Sequence, residues 1–348
     1  MENTLTLKNR IPRKLWILPA VMSVAIPFAI FPGASEAGLK LLTGTALDES
    51  ASYILWEIRL PRILFSVVAG MILAVSGVIA QSLFRNPLAE PGLVGISAGS
   101  MTFAVFGIIA SHRLLAGELV LPGWLAALIG NSFVAFAFLG GLLTSWLVMA
   151  FGKTARGYSM VRLLLSGIAI NAFTMAFTGF MIFLADDREL RDITFWSLGS
   201  FGAANWNSFS ILGVSGLAAM FVAFYFHKEL DLLLLGEKAA NDSGMNVSRV
   251  RTILLILISL IQGLVIAWSG MISFIALVAP HLGRLSFSAS HRLLLASSAF
   301  YGGLLTLFAD TLARSLAAPA ELPLGILTGL IGAPYFLMLV RREVKYEH

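Results

Sequence analysis

The sequence predicts an all-α membrane protein that crosses the bilayer about ten times, at ~20 apolar residues per crossing. Three observations point there. Of 348 residues, 58% are hydrophobic and only 12% charged, against about 45–50% and about 25% in soluble domains. The apolar residues fall in long runs that are greasy on nearly every face, which suits a helix surrounded by lipid. The 24 Lys and Arg stand mostly in ones and twos at the ends of those runs, with no basic stripe of the kind that holds nucleic acid, so no nucleic-acid partner is expected despite the net charge of +5. Cysteine is absent, which excludes disulfides and Cys-ligated metals.

Candidate spans run over 14–32, 61–84, 92–111, 120–150, 162–185, 207–227, 250–270, 271–287, 293–317 and 323–341. The first follows Lys8, Arg10, Arg13 and Lys14 as a secretory signal would, but its apolar run is longer than a signal core, so a retained helix is expected. The 120–150 run is long for one span, and 250–287 is divided at Gly270. Residues 186–192 are polar and read as a loop, with a short surface helix following over 194–206. With the N-terminus inside, most of the basic residues lie on the cytoplasmic side, as the positive-inside rule requires. An even number of spans then puts both termini in the cytoplasm.

One internal echo stands out. Ala74-Val75-Ser76-Gly77-Val78-Ile79 resembles Ala267-Trp268-Ser269-Gly270-Met271-Ile272, and Pro87 and Pro280 follow their glycines at the same interval. Transporters are often built from inverted repeats with broken helices beside the pathway. Short Ser-Gly matches also arise by chance in a Gly-rich chain, and both explanations stay open.

The chemistry-bearing motifs are mostly missing. There is no Gly-x-x-x-x-Gly-Lys-Ser/Thr phosphate loop, no His-Glu-x-x-His, and no acidic dyad within a span. His281 lies near an apolar run without a second ligand at metal spacing. No catalytic, cofactor or metal site is therefore expected in this chain. The informative stretch is Arg59-Leu60-Pro61-Arg62, then Gln81, then Arg85-Asn86-Pro87-Leu88-Ala89-Glu90-Pro91. Its closely spaced prolines lack N–H donors and cannot continue a regular helix, so 85–92 is expected to turn at the membrane face.

These motifs resemble the membrane permease subunits of ABC importers for iron complexes, haem and cobalamin. The resemblance also rests on Leu235-Gly236-Glu237 with Ala240 and Gly244, Pro280-His281, His291-Arg292, and Asp310 with Arg314. Glu321-Leu322-Pro323-Leu324-Gly325 and Ile331-Gly332-Ala333-Pro334 complete it. It covers nearly the whole chain. It implies the inverted-repeat type II ABC importer permease fold, one transmembrane domain over 1–348, a dimer around the pathway (a homodimer by preference), two cytoplasmic ATPase subunits that use ATP, and an external binding protein.

The resemblance also implies roles. Arg59, Arg62 and Arg314 would meet acidic residues of the binding protein; Asp310 and Arg314, four apart, could instead pair with each other. Asn86, Leu88 and, at a position often held by a small hydroxyl residue, Met160 would form a cytoplasmic gate. The 228–251 connector would couple to the ATPase through Leu235, Gly236, Glu237, Ala240 and Gly244, with Ser243 standing where the family usually has Leu. Phe173, Phe177, Phe180 and Met181, with Met175, would give an apolar pathway wall.

The expected cargo is haem, because Leu190-Arg191-Asp192-Ile193-Thr194-Phe195-Trp196 looks like the corresponding stretch of haem permeases. Ferric siderophores and then cobalamin are the alternatives, and the expected site is the bacterial plasma membrane. A different class, an ion-coupled secondary transporter, would need ionisable residues deep in several spans, and Asp310 is the main one here.

Overall fold

One long helix organises the molecule, a computed structural model that describes residues 12–32, 37–43, 46, 48–117, 122, 133–155, 157–287 and 290–344. It follows α1 (Ile17–Phe28) and the short α2 (Ala37–Thr43). This helix, α3, runs over Glu49–Leu83 and is buried along most of its length. Its start is capped by Asp48, whose side chain accepts from the Ala51 N–H. A π turn at Ile54–Arg59 lies directly before Pro61, whose ring has no N–H to give and would crowd the preceding turn of a regular helix.

The closest partner of α3 is α13 (His291–Leu316). Gly70 and Gly302 meet so tightly that a Cβ on Gly302 would lie 2.2 Å from the Gly70 carbonyl oxygen. Thr306 Oγ1 donates across the same crossing to the Ser66 carbonyl at 2.7 Å. Lipid gives helices no hydrophobic reason to associate, so close backbone approach and interhelical hydrogen bonds hold this pair. Around it pack α8 (Trp206–Tyr225), α11 (Val247–Ser269) and α12 (Ile275–Ser286). Gln262 of α11 donates to Ser76 Oγ of α3 at 2.8 Å.

A second group consists of α4 (Ile96–Leu115), α5 (Phe133–Gly152) and α6 (Met160–Phe183). Thr102 of α4 and Thr178 of α6 share a 2.8 Å hydrogen bond, and Ser145 of α5 meets Ser259 of α11 at 2.5 Å. Between α5 and α6, β1 (Lys153–Thr154) and β2 (Gly157–Tyr158) pair antiparallel, with Lys153 opposite Tyr158.

Among the described residues, seven helices are long and apolar enough to cross a membrane: α3, α4, α5, α6, α8, α11 and α13. Several expected boundaries change. The 271–287 segment is no full span: α12 has 12 residues, about 18 Å at 1.5 Å per residue, against ~30 Å of hydrocarbon. The break at Gly270 itself is present, as a residue at φ 67° that ends α11. The first span is short too, a 3-10 turn at Arg13–Trp16 leading into the 12 residues of α1.

Residues 186–192 form no loop. They begin α7 (Asp187–Ser197), started by a reciprocal cap between Asp186 and Glu189. α7 is tied to the end of α4 by Arg113–Glu189 at 3.4 Å and His112–Asp192 at 2.9 Å. The long 120–150 run lies largely outside the described residues until α5 begins. The last helix, α14, covers Leu324–Val344.

The sequence echo has no conformational counterpart. Gly77 is inside α3, against the backbone of Ala276, whereas Gly270 ends a helix. Pro87 lies in a turn and Pro280 inside α12.

Candidate functional site

Polar side chains gather at both ends of the α3–α13 pair. At the Arg59 end, Arg62 reaches Asp310 with Nε at 3.0 Å and a terminal nitrogen at 2.9 Å. Its other terminal nitrogen donates to both Glu321 oxygens at 2.9 Å. The second Asp310 oxygen accepts from Arg314 Nε at 3.1 Å. Arg314 also donates to the carbonyls of Pro32 at 3.2 Å and Ala29 at 3.1 Å. Arg59 donates to the Ile30 carbonyl at 2.8 Å.

Asp310 is fully buried, and the three arginines are each 5% exposed. Burying charge at membrane depth is costly unless every group is paired, and here each guanidinium and the Asp310 carboxylate has partners. The structure thus brings Arg59, Arg62 and Arg314 together, facing inward. The intrahelical Asp310–Arg314 pair is formed, and Glu321, whose side chain is 45% exposed, is the open face of the cluster.

At the opposite end the chain leaves α3 through the turn expected from its prolines. Arg85 adopts φ 48°. The Asn86 side chain accepts from the Leu88 N–H at 2.9 Å, so a polar side chain satisfies a backbone group freed by the turn. Pro91–Val94 then forms a 3-10 turn into α4. Asn86 is exposed, Leu88 is half-buried, and Met160 is half-buried against the main core.

The 228–251 connector folds as a helical hairpin. α9 (His227–Leu235) and α10 (Glu237–Asp242) are separated by Gly236 at φ 114°, and Gly244 at φ 86° follows. Those values demand glycine. Leu230, Leu233 and Ala240 are buried beneath the hairpin, whereas Leu234 and Leu235 stand exposed. Glu237 accepts from Arg251 at 2.8 Å beside a cavity of about 420 Å³ that Asn241, Gly244 and Tyr158 also line. Ser243 is exposed, and its hydroxyl bonds the Ala240 carbonyl at 2.7 Å.

The expected apolar wall divides. Phe173, Phe177 and Phe180 share an exposed face of α6; Met175 is exposed on the other side of the helix, about 200° round from Phe173, and Met181 is 8% exposed and packs against Val105, Ile108 and Ile193. Met181, four residues on from Phe177, is turned into this packing and is not part of the exposed face.

Sequence reasoning missed a group at the hairpin end in which Ser82 and His291 are buried and the Asp231 side chain is half-exposed. Ser82, His291 and Asp231 are joined by contacts of 2.6 and 2.7 Å. His291-Arg292 was visible as a motif, but its partners lie far away in sequence and on two other helices.

Known proteins resemble this chain in sequence and in overall fold. Residues 21–342 match the FecCD transport family. The chain is 41% identical over 311 residues to the hemin transport system permease protein HmuU of Yersinia pestis, covering 89% of this chain and 90% of that one. It is 34% identical over 345 residues to the vitamin B12 import system permease protein BtuC of Klebsiella pneumoniae, covering 99% of each. A solved structure described as an inward-facing conformation of a putative metal-chelate type ABC transporter superposes with a TM-score of 0.82 at 29% identity, over 95% of this chain and all of that one. The chain is an integral membrane protein that belongs to the FecCD transport family, as a permease of the ABC importer type.

Proposed function

We propose that this chain carries haem inward across the bacterial plasma membrane as one of two identical permease subunits. It would work with two separate ATPase subunits and an external binding protein. The Arg59 end faces outward in this reading, and the α9–α10 hairpin and both termini face the cytoplasm. The chain does no covalent chemistry and holds no cofactor; ATP is used by the partner.

The observation that carries the importer reading is the hairpin. Leu230 and Leu233 anchor it while Leu234 and Leu235 project from its tip, beyond which Gly236 turns the chain back. Exposed apolar residues on a rigid, glycine-hinged hairpin fit insertion into a groove of another subunit. ATP-driven movement there would alternate the dimer between outward- and inward-open states. Asn86, Leu88 and Met160 would close the inner end, and Phe173, Phe177 and Phe180 would offer the cargo a weakly binding apolar wall.

The 41% identity to the hemin permease supports haem over the corrinoid of the 34% relative. Titrating the partner binding protein with haem, cobalamin and ferric siderophores tests this. Tight binding of haem alone is expected; tight binding of only a siderophore or only cobalamin would replace the cargo.

A further inference from the structure

Three positions at and just beyond the inner end of α3 each hold a different helix. Gln81 Oε1 accepts from Arg284 of α12 at 2.5 Å, Ser82 Oγ meets His291 Nε2 of α13 at 2.6 Å, and Arg85 Nε donates to the Leu233 carbonyl of α9 at 2.8 Å. The middle contact reaches a third helix. His291 is 1% exposed and is the first residue of α13. Its Nδ1 lies 2.7 Å from Asp231 Oδ1 on α9, and its backbone N–H donates to the same oxygen at 2.9 Å.

Asp231 therefore caps α13 from another helix, placing a carboxylate where helical N–H groups lack partners and the dipole is positive. The imidazole can keep both side-chain bonds in either protonation state. When charged, it donates to Asp231 from Nδ1 and to Ser82 Oγ from Nε2, while the Ser82 hydroxyl donates to the Val78 carbonyl at 2.7 Å; when neutral with its proton on Nδ1, it accepts from Ser82 only if that hydroxyl turns away from Val78. A buried ring held at both nitrogens fixes three helices in one geometry.

We propose that His291 is a positioning residue of the transport cycle, the joint that passes movement of α9 to α3 and α13 together. The inference rests on the permease reading above. The two helices it grips are the ones joined at their outer ends by Arg62 and Asp310. Between those ends, Gly70–Gly302 contact and the Thr306–Ser66 bond keep them paired. A push on the hairpin from the ATPase thus reaches the outer arginine cluster as displacement of one rigid unit.

The test uses the full importer in proteoliposomes, reading haem uptake and ATP hydrolysis together. His291→Phe keeps the ring's bulk and removes both bonds. Uptake per ATP is expected to fall about tenfold, within the usual range of coupling between sites, while hydrolysis and the melting temperature of the complex stay close to wild type. Asp231→Ala should reproduce that loss, Asp231→Asn should retain most coupling because it keeps an acceptor oxygen, and the Ala–Phe double variant should be no worse than either single. If His291→Phe fails to assemble, Ser82→Ala, which removes one arm only, should still lower uptake per ATP severalfold. Wild-type uptake per ATP in assembled His291→Phe or Ser82→Ala complexes would overturn the joint alone. A wild-type complex showing no ATP-driven uptake of haem, cobalamin or ferric siderophore would overturn the permease reading and the joint with it.

Discussion

Arg62 and Asp310 meet at 2.9 Å with side chains 6% and 1% exposed, joining α3 to α13 at the Arg59 end of the pair. Arg314 completes the pair on the far oxygen of Asp310. Breaking one member of a buried ionic network leaves charge without compensation. Asp310→Asn is therefore expected to destabilise the permease by about 3–5 kcal/mol, read as a lower melting temperature in detergent. Glu321→Gln, at a half-open side chain, should cost no more than about 1 kcal/mol. Equal effects would mean that burial does not set the cost.

The same network decides how binding-protein docking is to be probed. Arg62→Glu would set a new carboxylate against Asp310 and Glu321, and loss of import would then report misfolding. Arg59 bonds the carbonyl of Ile30 and sits at the edge of the ion-pair cluster. Arg59→Gln is expected to weaken binding-protein affinity roughly tenfold, about 1.4 kcal/mol, with normal membrane levels. Unchanged affinity by surface plasmon resonance would remove Arg59 from the docking surface.

The α3–α13 crossing tolerates no side chain at Gly302. Gly302→Ala should lower stability by about 1–3 kcal/mol through overpacking. Gly213→Ala on α8, where the new Cβ would meet only Phe209 at 3.9 Å, should leave the melting temperature unchanged or slightly raised. The reverse order would contradict the packing.

Gly236 holds the hairpin tip at φ 114°. Gly236→Ala forces a strain of about 1–3 kcal/mol or a different turn. Either way the ATPase subunit should co-purify severalfold less well. Wild-type recovery of the ATPase would show that the hairpin is not its dock.

Much of this was legible in the sequence. Long apolar runs such as those of α3 and α13 announce membrane helices, and the prolines at 87 and 91 announce the turn between α3 and α4. Gly270 announced a break, but nothing in composition shows that α12 stops at 12 residues, because flanking apolar residues continue the run without continuing the helix. The start of α7 could have been read: Asp186 followed by Glu189 is a capping signal, hidden by the low hydropathy of the segment. The arginines were found as motifs, whereas the inward orientation of Arg62 depends on Asp310 of α13 and on Glu321 in the loop before α14, both far from it in sequence. His291 shows the limit most clearly, since one ring nitrogen meets α3 and the other α9.

Orientation across the bilayer links the proposed docking, gating and coupling roles, and a cysteine-free chain makes it directly measurable. Single cysteines at Ser315, exposed beside Arg314, and at Leu235, exposed at the hairpin tip, would be challenged in intact cells with a membrane-impermeant maleimide. Labelling of Ser315→Cys from outside and of Leu235→Cys only after the membrane is opened is the predicted result. Labelling of Leu235→Cys in sealed cells would contradict the account.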